Sequence, residues 1–423
     1  MSADEEERPI ENGSDEEQSE DERRHTSIIS PRCGHITHCV GMNVLVWGGY
    51  KEDGTERYLP PEDVWVYNLE LEIWSCHKTN GDVPPGMSGF CSCIYDNCLY
   101  IIGGHSINGN CNSIYKLNLK DLTWSRVIVL GKLFSPRDKA TAWYHNGKIY
   151  MFGGFGVPIS DYLDDHGSFE LDPSLEMSYV RNRGWNNQLL VFDVVDEVWS
   201  NPKCKGVTPY PRAAHASARV GDNVFIFGGR YLHDRLNDLH CLNLSTLTWS
   251  GELTVGSNVP CGRSWHTLTA ASNKYIFLYG GYTQENKPLS DAWVLDVNTL
   301  QWTQLDVPDN RPRLWHTACL SSQQDIVIFG GCTNDILDLR LPSIHTNEVI
   351  LFRLSPKCLQ RISFDVVFNL RERTQSDWDS LPYNIKNMLE IKDKCVKNKH
   401  LCKQQGDARQ IEISRSTSSC VLS

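Results

Sequence analysis

Apolar and polar positions alternate along most of this chain in short runs separated by turn residues. In one stretch, Gly262-Arg263-Ser264-Trp265-His266-Thr267-Leu268 leads to a turn at Asn273-Lys274. Then come Tyr275-Ile276-Phe277-Leu278-Tyr279 and Gly280-Gly281. After a longer loop follow Ala292-Trp293-Val294-Leu295-Asp296-Val297, a turn at Asn298-Thr299-Leu300, and Gln301-Trp302-Thr303-Gln304-Leu305. Four runs of strand period joined this way predict a four-stranded antiparallel meander. The unit recurs. Glycine doublets close an apolar run at Gly48-Gly49, Gly103-Gly104, Gly153-Gly154, Gly228-Gly229, Gly280-Gly281 and Gly330-Gly331, spaced 50 to 55 residues apart except for one gap of 75. A period near fifty with strand content is that of a propeller. Because repeats share their core with neighbours, the expectation is one all-β, six-bladed ring.

Three features of the repeat have physical readings. The doublets fall where neighbouring blades crowd and no side chain fits. Trp74, Trp124, Trp199, Trp249 and Trp302 follow five of the doublets, each seven residues after an apolar position (Tyr67, Leu117, Phe192, Leu242, Leu295), and are placed to cover the seams between blades. An Arg-x-x-His turn recurs at Arg32/His35, Arg212/His215, Arg263/His266 and Arg313/His316. A catalytic histidine is needed once, so four copies read as buried residues bonding the backbone. The turns between first and second and between third and fourth strands are short throughout. The other connections are long, so one face carries the loops and is the favoured binding face. The wide gap is an insertion in the loop of blade three, about residues 155–184, ending in Arg183-Gly184-Trp185.

The ends of the chain differ in character. Residues 1–24 hold eleven acids against Arg8, Arg23 and Arg24 and almost no large apolar groups, which predicts a disordered, solvating tail. The propeller is expected over 25–354. Its last blade lacks a fourth strand after Asn347–Leu354, and His25–Ile29 is expected to supply it and remove an open edge. Over 355–391 the apolar positions Leu359, Ile362, Val366, Val367 and Leu370 recur at three and four, predicting an amphipathic helix, with a second near Leu381-Pro382 to Ile391. Such a helix either docks a partner or folds back onto the ring. Residues 392–423 are expected to be a flexible basic tail. The terminus Cys420-Val421-Leu422-Ser423 has the form of a prenylation signal, so membrane association is expected only through a lipid on Cys420.

Composition narrows the function. The net charge is −11, of which −8 sits in the first 24 residues, leaving about −3 and no basic stripe on the body, which argues against nucleic-acid binding. No apolar run is long enough to cross a bilayer. The sixteen cysteines are scattered with no secretory signal before them, and are read as reduced thiols of an intracellular protein. Cys91 and Cys93 share one face of a predicted strand and read as buried rather than zinc-binding.

The fourth repeat alone follows its doublet with arginine: Arg230, then Arg235 on the same loop. Ser264 and Trp265 begin the next blade, so all four converge on one seam. Paired planar donors suit a main-chain carboxylate, and a narrow aromatic slot admits glycine where any β-carbon would clash. The plainer alternative makes both arginines ion-pair partners of Asp234 or Asp238.

Several segments carry a family resemblance: Trp47-Gly48-Gly49-Tyr50, Gly81-Asp82-Val83-Pro84-Pro85, Pro211-Arg212-Ala213-Ala214-His215, Arg235-Leu236-Asn237-Asp238-Leu239-His240 and Pro312-Arg313-Leu314-Trp315-His316. Over about 25–390 the chain resembles the kelch domain-containing proteins, members one and two in particular, which act as substrate receptors of cullin-2 ubiquitin ligases and read C-terminal Gly-Gly degrons. The resemblance implies a six-bladed kelch β-propeller with a short C-terminal helical segment. It also implies a non-catalytic adaptor, without cofactor or metal, that sends substrates to ubiquitination and proteasomal degradation in cytoplasm and nucleus. The degron pocket it implies comprises Lys139, Phe155, Trp185, Arg230, Arg235, Ser264 and Trp265. Phe155 stands where the family has tyrosine. Leu359, Ser363 and Val367 match the elongin-binding box, preceded by Cys358 where a small hydroxyl residue is common. Leu381, Pro382 and Ile385 resemble the cullin-2 box. The implied partners are elongins B and C, cullin-2 and its RING subunit, and proteins ending in Gly-Gly. Two other functions compete with this one. One is a kelch scaffold or trafficking adaptor without a ubiquitin role, membrane-anchored through Cys420. The other is a copper-radical oxidase, for which no Tyr/Cys/His cluster stands out on the long loops.

Overall fold

A computed structural model describes residues 29–52, 58–159, 168–175, 182–338 and 340–399, and the backbone of 409–412. Six antiparallel sheets follow one another as propeller blades. Blade one runs Ile36–Val40, Asn43–Trp47, Asp63–Asn68 and Ile73–Lys78, each strand beside the next. Blades two to six open with Cys91–Tyr95, Thr141–His145, Ala216–Val220, Thr267–Ala270 and Thr317–Leu320. Blades two and four gain an outer parallel strand, Asn80–Gly81 and Lys205–Val207, from the connection that enters them. Second strands such as Asn223–Phe227 are buried almost throughout, because neighbouring blades cover both faces. Their sequence is accordingly a continuous apolar run rather than an alternation.

The tryptophans do what their spacing suggests. Trp74, Trp124, Trp199, Trp249 and Trp302 pair directly across the sheet with Tyr67, Leu117, Phe192, Leu242 and Leu295. Four of them also pack on the aromatic residue ending the second strand of the preceding blade. Ring centroids lie 5.0 Å apart for Trp124–Trp47, 4.9 Å for Trp249–Phe152, 5.2 Å for Trp302–Phe227 and 4.9 Å for Trp74–Phe329. The last contact joins blade one to blade six. Cys91 and Cys93 are buried in the apolar layer between blades two and three.

Two closed circles of backbone hydrogen bonds tie the blades together. In the inner circle Gly34 N donates to Trp315 O, Trp315 to Trp265, Trp265 to Ala214, Ala214 to Lys139, Lys139 to Gly89 and Gly89 to Gly34, at 2.6 to 3.0 Å. In the second circle each later doublet glycine donates to the following blade. Gly49 reaches Met87 O, Gly104 Arg137, Gly154 Arg212, Gly229 Arg263, Gly281 Arg313 and Gly331 Arg32, at 2.7 to 2.9 Å. Gly228 and Gly229 show why the doublet is glycine. Both have positive φ (64° and 99°); a β-carbon on Gly228 would lie 2.7 Å from Arg263 O, and one on Gly229 would lie 2.8 Å from His215 Cβ. The crowding therefore comes from the next blade at the first glycine and from the same blade's histidine at the second.

The recurrent histidines are buried and structural, and three of them bond a side chain of the preceding blade. His35 Nε2 bonds Thr317 Oγ1 (2.7 Å), His215 bonds Thr141 (2.8 Å) and His316 bonds Thr267 (3.0 Å). Burial pulls His215 and His316 down to about 3, so they are neutral at neutral pH. The equivalent partner of His266 would come from blade four, where Ala216 occupies the threonine position, and neither ring nitrogen of His266 has a hydrogen-bond partner among the described residues.

Two expectations at the ends are corrected. The outer edge of Val349–Arg353, where His25–Ile29 is expected, is paired in parallel with Arg409–Glu412. Ile29 instead sits in the core beside Val349 and Leu351, its carbonyl accepting a bond from Asn347. Residues 1–28 lie outside the described residues, as does Cys420. The basic stretch after 391 does not begin a tail: the last helix runs Tyr383–Lys399. Its Lys392 is buried, donating to Glu70 O (3.1 Å) over the Phe364 and Phe368 rings. An aliphatic stem with a satisfied ammonium head packs as a core residue.

The helix Leu359–Asn369 folds back onto the ring with one side only. Arg361, buried, holds Asp325 (2.7 Å) and Gln323 (2.6 Å) at the short-turn face of blade six. Phe368 packs with Trp378 and Leu389. The opposite side leaves Leu359, Ile362, Val366 and Leu370 exposed, Leu359 to 80%.

Replacing Ala216 by threonine should give His266 its missing partner and stabilise the protein by about 0.5–1.5 kcal/mol. The urea midpoint should rise with an unchanged slope; a fall would mean the seam between blades four and five cannot take the added methyl.

Candidate functional site

The loop face is built on two equivalent positions per blade. The residue after each doublet (Tyr50, His105, Phe155, Arg230, Tyr282, Cys332) pairs with a residue just before its own first strand (Cys33, Ser88, Asp138, Ala213, Ser264, Leu314). The residue next along (Gly34, Gly89, Lys139, Ala214, Trp265, Trp315) forms the inner hydrogen-bond circle. All six have positive φ, and only two are glycine. Left-handed backbone at a non-glycine residue costs about 1–3 kcal/mol and persists where surroundings enforce it. Here the closed circle enforces it, and the strain places Lys139, Trp265 and Trp315 around the mouth of the central channel.

Phe155, Arg230 and Tyr282 occupy the same position in blades three, four and five. Arg230 and Arg235 are paired across a hairpin whose turn carries Leu232 at φ 50°. The carbonyl of that strained residue accepts a bond from Arg230 Nε at 3.1 Å. Arg235 Nε donates to Ser264 Oγ at 3.2 Å, and its guanidinium lies 4.5 Å from the Tyr282 ring centre. Arg230 lies 5.5 Å from the centre of the Trp185 ring. Trp185 packs against Phe155 at 5.1 Å and Tyr231 at 6.3 Å, and Trp265 stacks on Trp315 at 5.6 Å. The seven residues expected to form a pocket are thus brought onto one side of the ring. Two of them lie deeper than expected: Trp185 and Ser264 are almost wholly buried, so one backs the wall and the other orients Arg235.

The charge is unbalanced. Asp238 is not the partner of Arg230 or Arg235. It holds Arg212 through two bonds of 2.7 Å and His240 through one of 2.8 Å. Burial would raise the Asp238 carboxyl, but these bonds overcome it and hold it well below the carboxylate range. Among the described residues no carboxylate lies within ion-pair distance of Arg230 or Arg235. Burial, with Arg230 alongside, lowers Arg235 from its ordinary value against the opposing pull of Tyr282 and Asp335. Asp138 is shared by Lys139 and, at 4.0 Å, by Arg183. Two guanidinium groups held open beside aromatic rings can grip one planar anion.

Sequence reasoning missed three contributors. Arg183 stacks 4.8 Å from the centre of the Phe155 ring, with a buried Nε lacking a partner. Tyr282 floors Arg235. Trp315 lies 5.4 Å under Lys139 Nζ. Arg183 directly precedes Gly184-Trp185, and Tyr282 holds the Arg230 position of the next blade; that six-fold equivalence is the signal that could have found it. A further correction concerns the Tyr/Cys/His cluster not seen in sequence: Cys33, Cys332 and His345 lie together, with Tyr50 edge-on to His345 at 5.8 Å.

On the opposite, short-turn side, Leu359 and Ser363 are exposed and neighbour each other. Val367, expected beside Leu359, turns instead toward Phe368 and Trp378, and its place on the exposed stripe is taken by Val366. Leu381 and Ile385 pack into the same helical cluster, while Pro382 starts the last helix and is exposed with Tyr383.

The fold and this face define a kelch-repeat β-propeller with a cationic, aromatic-walled recess among its loops. A family model for the KLHDC2/KLHL20/DRC7 kelch-repeats domain matches residues 15–175 and 178–365. The chain is 40% identical to Kelch domain-containing protein 2 of Homo sapiens over 363 residues, 84% of this chain and 88% of the relative. It is 39% identical to Kelch domain-containing protein 1 of Homo sapiens over 352 residues, 80% and 84% of the two chains. The protein belongs to this kelch-repeat family.

The two classes of arginine should separate in stability measurements. Arg212→Met breaks a buried pair and should destabilise by about 3–5 kcal/mol. Arg230→Met and Arg235→Met remove charges with no acid to orphan and should each change stability by no more than about 1 kcal/mol. Equal losses in urea unfolding would mean that Arg230 and Arg235 are structural.

Proposed function

We propose that the protein is the substrate-recognition subunit of a cullin-2 RING ubiquitin ligase and that its loop face binds proteins ending in Gly-Gly. The observation that carries this reading is the pair Arg230 and Arg235, uncompensated by any described carboxylate and fixed by Leu232 O and Ser264 Oγ beside Trp185, Trp265 and Tyr282. In the proposed complex a terminal carboxylate bridges the two guanidinium groups. Lys139 and Arg183 add charge and contacts to the peptide behind it, and the aromatic rings set a width that excludes a β-carbon. Phe155 supplies a wall without a hydroxyl donor. The adaptor itself performs no chemistry.

The ligase half of the reading rests on the exposed stripe. Leu359 enters a groove of elongin C with Ile362 and Val366 beside it, and Pro382 with Tyr383 meets cullin-2. Arg361 and Lys392 fix these helices to the short-turn face, so substrate and ligase engage opposite faces of one rigid ring.

Coexpression with a fluorescent reporter ending in Gly-Gly tests the whole reading. The reporter should be degraded by the proteasome, and should persist when its last residue is alanine or when the receptor carries Arg230→Ala or Leu359→Asp. Leu359→Asp should lose elongin C from immunoprecipitates yet still bind the Gly-Gly peptide. Degradation that survives both receptor changes would dispose of the proposal.

A further inference from the structure

The ring begins and ends at the seam between blades one and six, and this seam carries a cluster that degron recognition leaves unused. Cys33 precedes the first strand of blade one. Cys332 follows the last doublet. His345 lies on the loop of blade six. One ligand atom from each lies within 4.8 Å of the other two. The backbone holds them in place: Cys33 bridges Tyr50, and Cys332 bridges both Leu314 and His345. Both sulfurs are fully buried, and the Nε2 atom of His345 is buried with no hydrogen-bond partner. Glu52 of blade one accepts a bond of 2.9 Å from Ser343, two residues before His345.

Two thiols and an imidazole are a borderline-soft donor set that suits zinc, and two thiolates neutralise a divalent ion where burial disfavours net charge. Sulfurs bound to zinc at about 2.3 Å in a tetrahedron sit roughly 3.8 Å apart. The three ligand atoms, all within 4.8 Å of one another, already lie within about 1 Å of that spacing.

We propose that Cys33, Cys332 and His345 form a zinc site that clamps the first blade to the last, with the Glu52 carboxylate or a water completing the tetrahedron. The site shares an apolar cluster with Tyr282, Trp265 and Trp315, so the metal would also stiffen one wall of the loop-face recess.

The test uses the full chain, stripped with chelator under reducing conditions and titrated with cobalt(II), then zinc. One equivalent of cobalt should produce thiolate-to-metal charge-transfer and tetrahedral d–d bands that zinc bleaches, and zinc should raise the thermal midpoint. His345→Ala changes a partly exposed loop residue and leaves the ring foldable. It should weaken metal binding beyond the roughly 10–100-fold typical of losing an outer-shell partner, and should abolish the zinc-dependent rise in midpoint. Cys332→Ser should lose the charge-transfer bands, and Cys261→Ser, at an exposed thiol elsewhere, should change nothing. Absent bands, bands indifferent to His345→Ala, or metal-free protein in which Cys33 and Cys332 are recovered only as a disulfide would each overturn the proposal.

Discussion

The structure depends on a circle of six peptide hydrogen bonds around the propeller axis, each N–H donating to the preceding blade. A second circle, from the later doublet glycines, runs the opposite way to the following blade. Both close across the seam of blades one and six, where no disulfide joins the described residues. They require left-handed backbone at six equivalent positions, and only Gly34 and Gly89 adopt it without strain. Of the four strained residues, Lys139, Trp265 and Trp315 carry large side chains that border the proposed recess. Fold closure and site geometry are therefore one constraint.

Other rules of stable folding are broken at the same place. Most buried cations of the ring are matched: Arg212 by Asp238, Arg263 by Asp291 and Arg313 by Glu348. Arg230 and Arg235 are not. A strained Leu232 turn and a half-buried guanidinium pair with no ion-pair partner among the described residues lower stability unless something anionic binds there. On the far face the contrast is reversed. Arg361 and Lys392 are satisfied and anchor the helices, leaving an apolar stripe from Leu359 to Leu370 uncovered among the described residues.

Much of this was legible in the sequence, because repetition amplifies weak signals. The doublets marked the crowded second strand, and the seven-residue spacing to tryptophan gave the cross-strand register. The insertion ending at Trp185 stood out as a break in period. Features set by a single long-range contact were not legible. Which segment pairs with the edge of Val349–Arg353 is decided outside the repeat, and Arg409–Glu412 takes the place assigned to His25–Ile29. Lys392 looked like tail because its satisfying partner, Glu70 O, lies in blade one. Arg183 was in view but had no periodic counterpart. Cys33 and Cys332 stand some three hundred residues apart and meet only because a ring brings its ends together. The threonine partners of the histidines were hidden for a milder reason: each lies one blade back.

The central claim is that Arg230 and Arg235 grip a terminal carboxylate, and isothermal titration with two peptides differing only at that group tests it directly. A peptide ending in Gly-Gly as the free acid should bind with a one-to-one stoichiometry. Its C-terminal amide forfeits two charge-assisted bonds of roughly 1.5–3 kcal/mol each and should bind about a hundredfold more weakly or not at all. Equal affinity of acid and amide would contradict the account.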